Sequence, residues 1–394
     1  MCVHLFFAQL LLLLLPGAAA LPSPGVISTW AFRENATLTY SHTSSWVRVP
    51  SGALLAVFQA TESHEGGPTQ TKYLVRSLDH GATWSPPAVL VSWTGPFNTS
   101  GETLPWDGTL FIDGGSRVRY VYATSPYKQQ SAGDLYTISS GDEGATWSAP
   151  TLVFPRSVWG RSMSNINPPV ALPGGALALP VNTVPGVPHD GGPVTSGLVL
   201  VGADGEQWAP LGVVPFNLLN LSTYLEPAVA ACAAPSGNQL LMLLRTQVLQ
   251  LWAARSTDAG ATWTPAFQTP LQNPNSKVTV FSWKGPGAGG NAPADGDLVL
   301  TLNPFGNCSK PSASNYCPRA PLAITVSRDC GGSWGPLYVV EEAADGETSF
   351  GYPTAAQCEG ADGAPAICAT YSLGTDGSKF GGIRFSVVPT TNLV

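Results

Sequence analysis

The chain has 394 residues, 44% hydrophobic and only 11% charged, with 43 glycines, 36 prolines and a formal net charge of −7. That length suits a closed array of repeats, and low charge with abundant Gly and Pro suits short strands joined by many turns. The acidic balance argues against nucleic acid or an anionic membrane surface as partner, although a few arginines can reverse the sign inside a pocket.

Residues 1–20 read as a signal peptide: an apolar run from Leu5 to Leu15, then Pro16-Gly17 and a small-residue site at Ala18-Ala19-Ala20. The run is too short to span a bilayer, so the reading is a secreted chain with no membrane span once the signal is removed. An uncleaved anchor is the alternative. Four sequons, at Asn35, Asn98, Asn220 and Asn307, permit glycosylation on that route. Residues 21–394 read as one domain.

From Val47 onward, short apolar runs alternate with Gly, Pro, Asn and Asp. Ala53–Gln59, Tyr73–Arg76, Leu110–Ile112, Val118–Ala123, Leu177–Val181, Leu198–Val201, Leu240–Arg245, Leu298–Leu302 and Leu322–Val326 are of strand length. No helical period is sustained, so the class is all-β. Residues 282–297, rich in Gly, Ala and Pro, read as a loop inserted between two of these strands.

One pattern, S-x-D-x-G-x-[TS]-W, occurs four times: Ser77–Trp84, Ser140–Trp147, Ser256–Trp263 and Ser327–Trp334. It predicts a hairpin tip in which Asp accepts backbone N–H groups, Gly adopts a conformation closed to other residues, and Trp covers the base. Asp79 to Asp142 spans 63 positions, Asp142 to Asp258 spans 116, and Asp258 to Asp329 spans 71. The long middle interval calls for one more unit, and a degenerate copy stands there at Val201–Trp208. A last unit from the strands Ile367–Tyr371 and Ile383–Val388 makes six.

Of seven cysteines, Cys2 leaves with the signal. Cys308 with Cys317 would staple a loop, and Cys358 with Cys368 would bridge a hairpin. Cys232 and Cys330 remain, with no partner assigned. No Cys/His spacing of a metal site is present, and no cofactor is expected.

The repeated pattern is an Asp-box, and the chain resembles the sialidase (neuraminidase) superfamily, in particular its divergent bacterial-neuraminidase-repeat branch. The resemblance implies a six-bladed β-propeller with the boxes on the rim away from the ligand. It also implies exo-α-sialidase-like glycoside hydrolysis on a glycan substrate, with a Tyr/Glu nucleophile pair, an Asp acid/base and three arginines on the substrate carboxylate. Glu226 and Arg245 match the family's Glu–hairpin–Arg segment, Arg319 precedes the fourth box by one strand, and Tyr352 falls where the nucleophile is carried. Such chemistry suits an anomeric centre bearing a carboxylate, because a neutral phenol attacks it without charge repulsion, and guanidinium forks hold a carboxylate as Lys cannot.

The departures are the first Arg, whose place is taken by Tyr40–Trp46, and the acid/base Asp, whose place falls near Thr69. The late Glu is replaced by the segment Ala369–Ser372. Arg48 sits too late in its strand to substitute. Glu65 is the one well-placed carboxylate left to act as proton donor, and His42 is a candidate substrate-binding residue. His42, Glu65-Gly66, Asn273–Ser276, Arg319–Leu322 and Gly351-Tyr352-Pro353 are the features shared with the divergent branch. A carbohydrate-binding propeller without turnover is the alternative reading. Trp106-Asp107 and His189-Asp190 are polar features with no assigned place.

Overall fold

The structure is a computed structural model describing residues 21–22, 25–92, 103–126, 134–155, 166–183, 195–215, 224–233, 238–285, 292–304, 319–343, 348–375 and 379–393. These form a six-bladed β-propeller of six sheets. Within each blade the strands run antiparallel, from an inner strand outward. The inner strands are Tyr40–Arg48, Thr103–Ile112, Val170–Ala171, Leu225–Ala231, Thr279–Ser282 and Thr348–Glu359 for blades one to six.

The last blade differs from the sequence expectation in one respect. Its outermost strand is not C-terminal but the N-terminal segment Ile27–Arg33, which pairs antiparallel with Lys379–Pro389. The two ends of the chain thus close the ring, removing the free edge that an open array would present. Leu21–Pro22 adds a short parallel pairing to the outer strand of blade five.

The core lies between blades, where adjacent sheets bury the alternate faces of their strands. Trp46, Phe58 and Val75 of blade one pack with Phe385 and Ile383 of blade six. Leu240, Met242 and Leu244 of blade four pack with Leu198 of blade three. Near the axis the inner strands are joined by polar links. The Thr354 hydroxyl donates to the Ser44 carbonyl at 2.7 Å, and Ser45 meets Thr109 at 3.1 Å. Asn167 donates to the Pro227 carbonyl at 3.0 Å.

The four boxes share their Ser and Asp contacts, and the first three also share the Trp contact, which the Trp334 indole does not make. In the first, Asp79 accepts the Thr83 N–H at 2.9 Å and its hydroxyl at 2.6 Å. Ser77 accepts the Gly81 N–H, and the Trp84 indole donates to the Gly81 carbonyl at 3.1 Å. The donated bonds, led by the Thr83 hydroxyl, hold the Asp79 carboxyl below its ordinary range. The degenerate copy keeps the Trp contact: Gly205 has φ +73° and the Trp208 indole donates to its carbonyl at 3.0 Å.

Gly81 has φ +86°, and a Cβ there would meet the Phe385 ring at 2.2 Å. Gly81→Ala is therefore expected to destabilise by about 2–4 kcal/mol, combining backbone strain with core overpacking. A lower urea midpoint at unchanged m-value checks this; an unaltered midpoint contradicts it.

Cys232 at the inner strand of blade four bonds to Cys330 in the box of blade five, a pairing the sequence left open. Cys358 bonds to Cys368 across a blade-six hairpin, as expected. Cys308 and Cys317 lie outside the described residues, as do residues 286–291 of the inserted loop, residues 1–20, Asn98, Asn220, Asn307 and His189-Asp190. No helix among the described residues is long and apolar enough to cross a membrane.

Candidate active site

Four inner strands carry the same defect at the same level. In each, two residues oppose one on the next strand: Thr43-Ser44, Asp107-Gly108, Glu226-Pro227 and Tyr352-Pro353. The first residue of every pair is left-handed, with φ +49°, +44°, +45° and +58° respectively. Asn275, just before the inner strand of blade five, has φ +55°. A bulge re-aims a side chain, and each left-handed non-Gly residue costs on the order of 1–3 kcal/mol. Repeated from different blades, the device brings Glu226 and Tyr352 into contact at 2.6 Å and sets Asp107 near enough to Glu65 for its charge to act there.

The groups named from the sequence converge there. The Tyr352 hydroxyl donates to Glu226 Oε1 at 2.6 Å, and Arg245 Nη1 donates to Glu226 Oε2 and to the Tyr352 oxygen, each at 2.5 Å. Arg245 Nε donates to Asn275 Oδ1 at 2.7 Å. Arg319 Nη2 donates to the Asn275 carbonyl at 3.3 Å, and its guanidinium stands 5.1 Å from the centre of the Tyr352 ring. Arg245, Arg319 and Tyr352 are all buried. Burial raises the Tyr352 pKa, with the Arg245 charge opposing and the Glu226 charge reinforcing, so the phenol stays protonated until a base removes its proton.

His42 lies beside this group, its ring 4.2 Å from that of Tyr352 and stacked at 4.2 Å on Phe380. Its Nδ1 is 2.9 Å from the Ser372 hydroxyl. The two segments that depart from the resemblance, Tyr40–Trp46 and Ala369–Ser372, thus meet through this His–Ser pair. Burial, then the charges of Arg319 and Arg245, hold the His42 pKa well below 6.5, so the ring is neutral at neutral pH. Arg48 is remote from the site in a rim ion pair with Glu359 at 2.8 Å.

Glu65 sits on the hairpin between the second and third strands of blade one. That hairpin is pinned to blade two: the Gly66 N–H donates to Gln70, whose amide donates to the Pro105 carbonyl. A Cβ on Gly66, at φ +71°, would meet the Trp106 ring at 2.8 Å. Glu65 Oε1 accepts from Gln59 Nε2 at 2.9 Å, while Gln59 Oε1 accepts from Lys72 Nζ at 2.9 Å. An ammonium can only donate, so Lys72 fixes which way the Gln59 amide faces. Burial, reinforced by the charge of Asp107, pushes the Glu65 carboxyl up to about 7. Lys72 and Lys277 are both fully buried, and burial lowers the pKa of each.

Asp107, Asn275, Gln59, Lys72 and Lys277 were not assigned roles from the sequence. A signal for Asp107 was present: Asp107-Gly108, Glu226-Pro227 and Tyr352-Pro353 each place a reactive side chain before Gly or Pro inside a strand, where regular pairing is broken. The lysines carry no such mark. No group of three His, Cys, Asp or Glu able to hold a metal occurs among the described residues.

Residues 52–364 match the BNR repeat-like domain. No curated protein matches the chain. Among solved structures, a protein of unknown function from Dyadobacter fermentans aligns at 18% identity and TM-score 0.67, covering 92% of this chain and 99% of its own. The Hadza microbial sialidase Hz136 aligns at 16% identity and TM-score 0.70, covering 93% and 69%. Trypanosoma rangeli sialidase in complex with sialic acid aligns at 15% identity and TM-score 0.68, covering 94% and 60%. This chain thus spans well under two thirds of the trypanosomal protein, and at these identities the likeness is one of fold. The repeats, the six blades and the domain match together place the chain in the BNR repeat-like domain family, as a divergent member of the sialidase superfamily.

Proposed function

We propose that the protein is a secreted glycoside hydrolase of exo-α-sialidase type that removes a terminal acidic sugar. The observation carrying this reading is the closed triangle of Tyr352, Glu226 and Arg245, with all three contacts at 2.5–2.6 Å and Arg319 against the phenol ring. Arg245 and Arg319 hold the substrate carboxylate, with His42 lining the same pocket. Glu226 takes the phenol proton as the Tyr352 oxygen bonds to the anomeric carbon. The bond from that carbon to the leaving oxygen breaks, and Glu65 gives its proton to that oxygen. In the second half, Glu65 takes a proton from water, the water oxygen bonds to the anomeric carbon, and the Tyr352–carbon bond breaks. The phenolate recovers its proton from Glu226. The site needs no cofactor or metal for these steps. The disulfides Cys232–Cys330 and Cys358–Cys368 support an oxidising compartment, and the single domain over 21–394 is the unit proposed to act.

The reading is tested by release of 4-methylumbelliferone from its N-acetylneuraminyl glycoside. Turnover that Glu65→Gln reduces by roughly 10²-fold or more supports it. Tight binding of the sugar with no turnover would instead favour a carbohydrate-binding propeller, the reading suggested by the neutral His42–Ser372 pair in the two segments that depart from the resemblance.

The pH dependence follows from Glu65. It must hold a proton to donate, so activity falls as pH rises through about 7. Lys72→Met removes the donor that orients Gln59 and frees its amide to turn its oxygen toward Glu65. That change favours the protonated carboxyl, so the alkaline limb is expected to move to higher pH. A limb that stays in place or moves down contradicts this.

A further inference from the structure

On the same face as the candidate site, between blades six and one, lies a cleft of about 820 Å³. It falls within the size of small-ligand sites. Its walls tie it to the chemistry. On one side stands His64, next to Glu65, with its ring N–H donating to the Glu65 carbonyl at 2.9 Å. On the inner side stand Tyr40 and Phe380, and the Phe380 ring stacks on His42. The cleft is therefore two stacked rings, Phe380 and His42, from Tyr352, and the hairpin carrying the proposed acid forms its rim.

Among the described residues, the charged side chains on the remaining wall are Arg33 and Lys379 against the carboxylate Glu34. Arg33 is exposed at the end of its strand, yet its guanidinium is held 4.6 Å from the Trp30 ring centre; Arg384 stands 4.9 Å from the same ring and is tied to Glu341 at 2.8 Å. A cation braced on an aromatic ring has less freedom to lose when it engages an anion.

We infer that this cleft is the leaving-group subsite, and that it takes a sugar unit that is itself anionic, contacted by Arg33. This rests on the reading of Tyr352 and Glu65 above. The glycosidic oxygen that Glu65 protonates belongs to the leaving unit, so that unit extends on the Glu65 side, past the His42–Phe380 stack, into the cleft. The enzyme thus recognises an acidic sugar linked to a second acidic sugar rather than to a neutral one.

The test is calorimetric binding of α2,8-disialyllactose and 3′-sialyllactose to the Tyr352→Phe protein, with and without Arg33→Ser. The disialyl ligand is expected to bind about tenfold tighter at low salt, an advantage that falls as salt rises and disappears with Arg33→Ser. Turnover of the methylumbelliferyl glycoside by Arg33→Ser alone is expected to be unchanged, because that leaving group carries no charge. Equal affinities, or a preference that survives Arg33→Ser, overturn the subsite while leaving the catalytic reading intact. Absence of binding by either ligand overturns both.

Discussion

Tyr352→Phe is expected to lower kcat/KM on an N-acetylneuraminyl aryl glycoside by about 10³-fold or more, equivalent to ~4 kcal/mol of transition-state stabilisation. The substitution removes one oxygen. Its cost to the fold is small, because the ring keeps its place against His42 and Arg319 while Glu226 keeps Arg245. Glu226→Gln is expected to cost on the order of 10²–10⁴-fold for a related reason. An amide cannot accept the phenol proton, and burial holds that proton on Tyr352 strongly. The double variant should be little worse than Tyr352→Phe alone, since base and nucleophile act as one unit. Steady-state rates on purified protein with matched thermal transitions check the set; wild-type rates in either single variant contradict it.

Arg245→Met carries the second large effect, on stability as well as on function. The guanidinium is buried and joins three side chains: Glu226, Tyr352 and Asn275. Burial alone disfavours its charge, but Glu226 and Tyr352 more than offset that. Removing it leaves the Glu226 carboxylate, 10% exposed, without its partner. The expected cost is about 3–5 kcal/mol. Adding Glu226→Leu to Arg245→Met should return much of the stability, because the uncompensated charge has gone, and none of the activity. Urea unfolding of the wild type, the single and the double variant measures this directly. A single variant as stable as wild type would mean that the pair does not anchor the site.

How far the sequence revealed this arrangement depended on whether a feature was local. The box pattern lies within eight residues, and its Ser, Asp, Gly and Trp contacts close within that span, so the propeller was readable before any fold was known. Glu226, Arg245, Arg319 and Tyr352 were readable by their order around the boxes. The N-terminal closing strand was not, because Ile27–Arg33 acquires its role only by pairing with Lys379–Pro389 at the far end of the chain. The bulges were hidden for another reason. A left-handed Tyr or Thr goes against local preference, and only the inner-strand register shows that Thr43, Asp107, Glu226 and Tyr352 are equivalent. The lysines were hidden most completely, since Lys72 is fully buried in a strand whose pattern predicts nothing about Gln59 or Glu65. The sequence showed that the first Arg and the late Glu are both missing. It did not show that His42 and Ser372, from the two departing segments, pair with each other.

The most direct measurement is mass spectrometry of the protein after exposure to a 3-fluoro-N-acetylneuraminyl fluoride, which forms the first glycosyl bond quickly and releases it slowly. The account predicts one added sugar, carried by Tyr352 and absent from the Tyr352→Phe protein. A label on another residue, or the same label in both proteins, would contradict it.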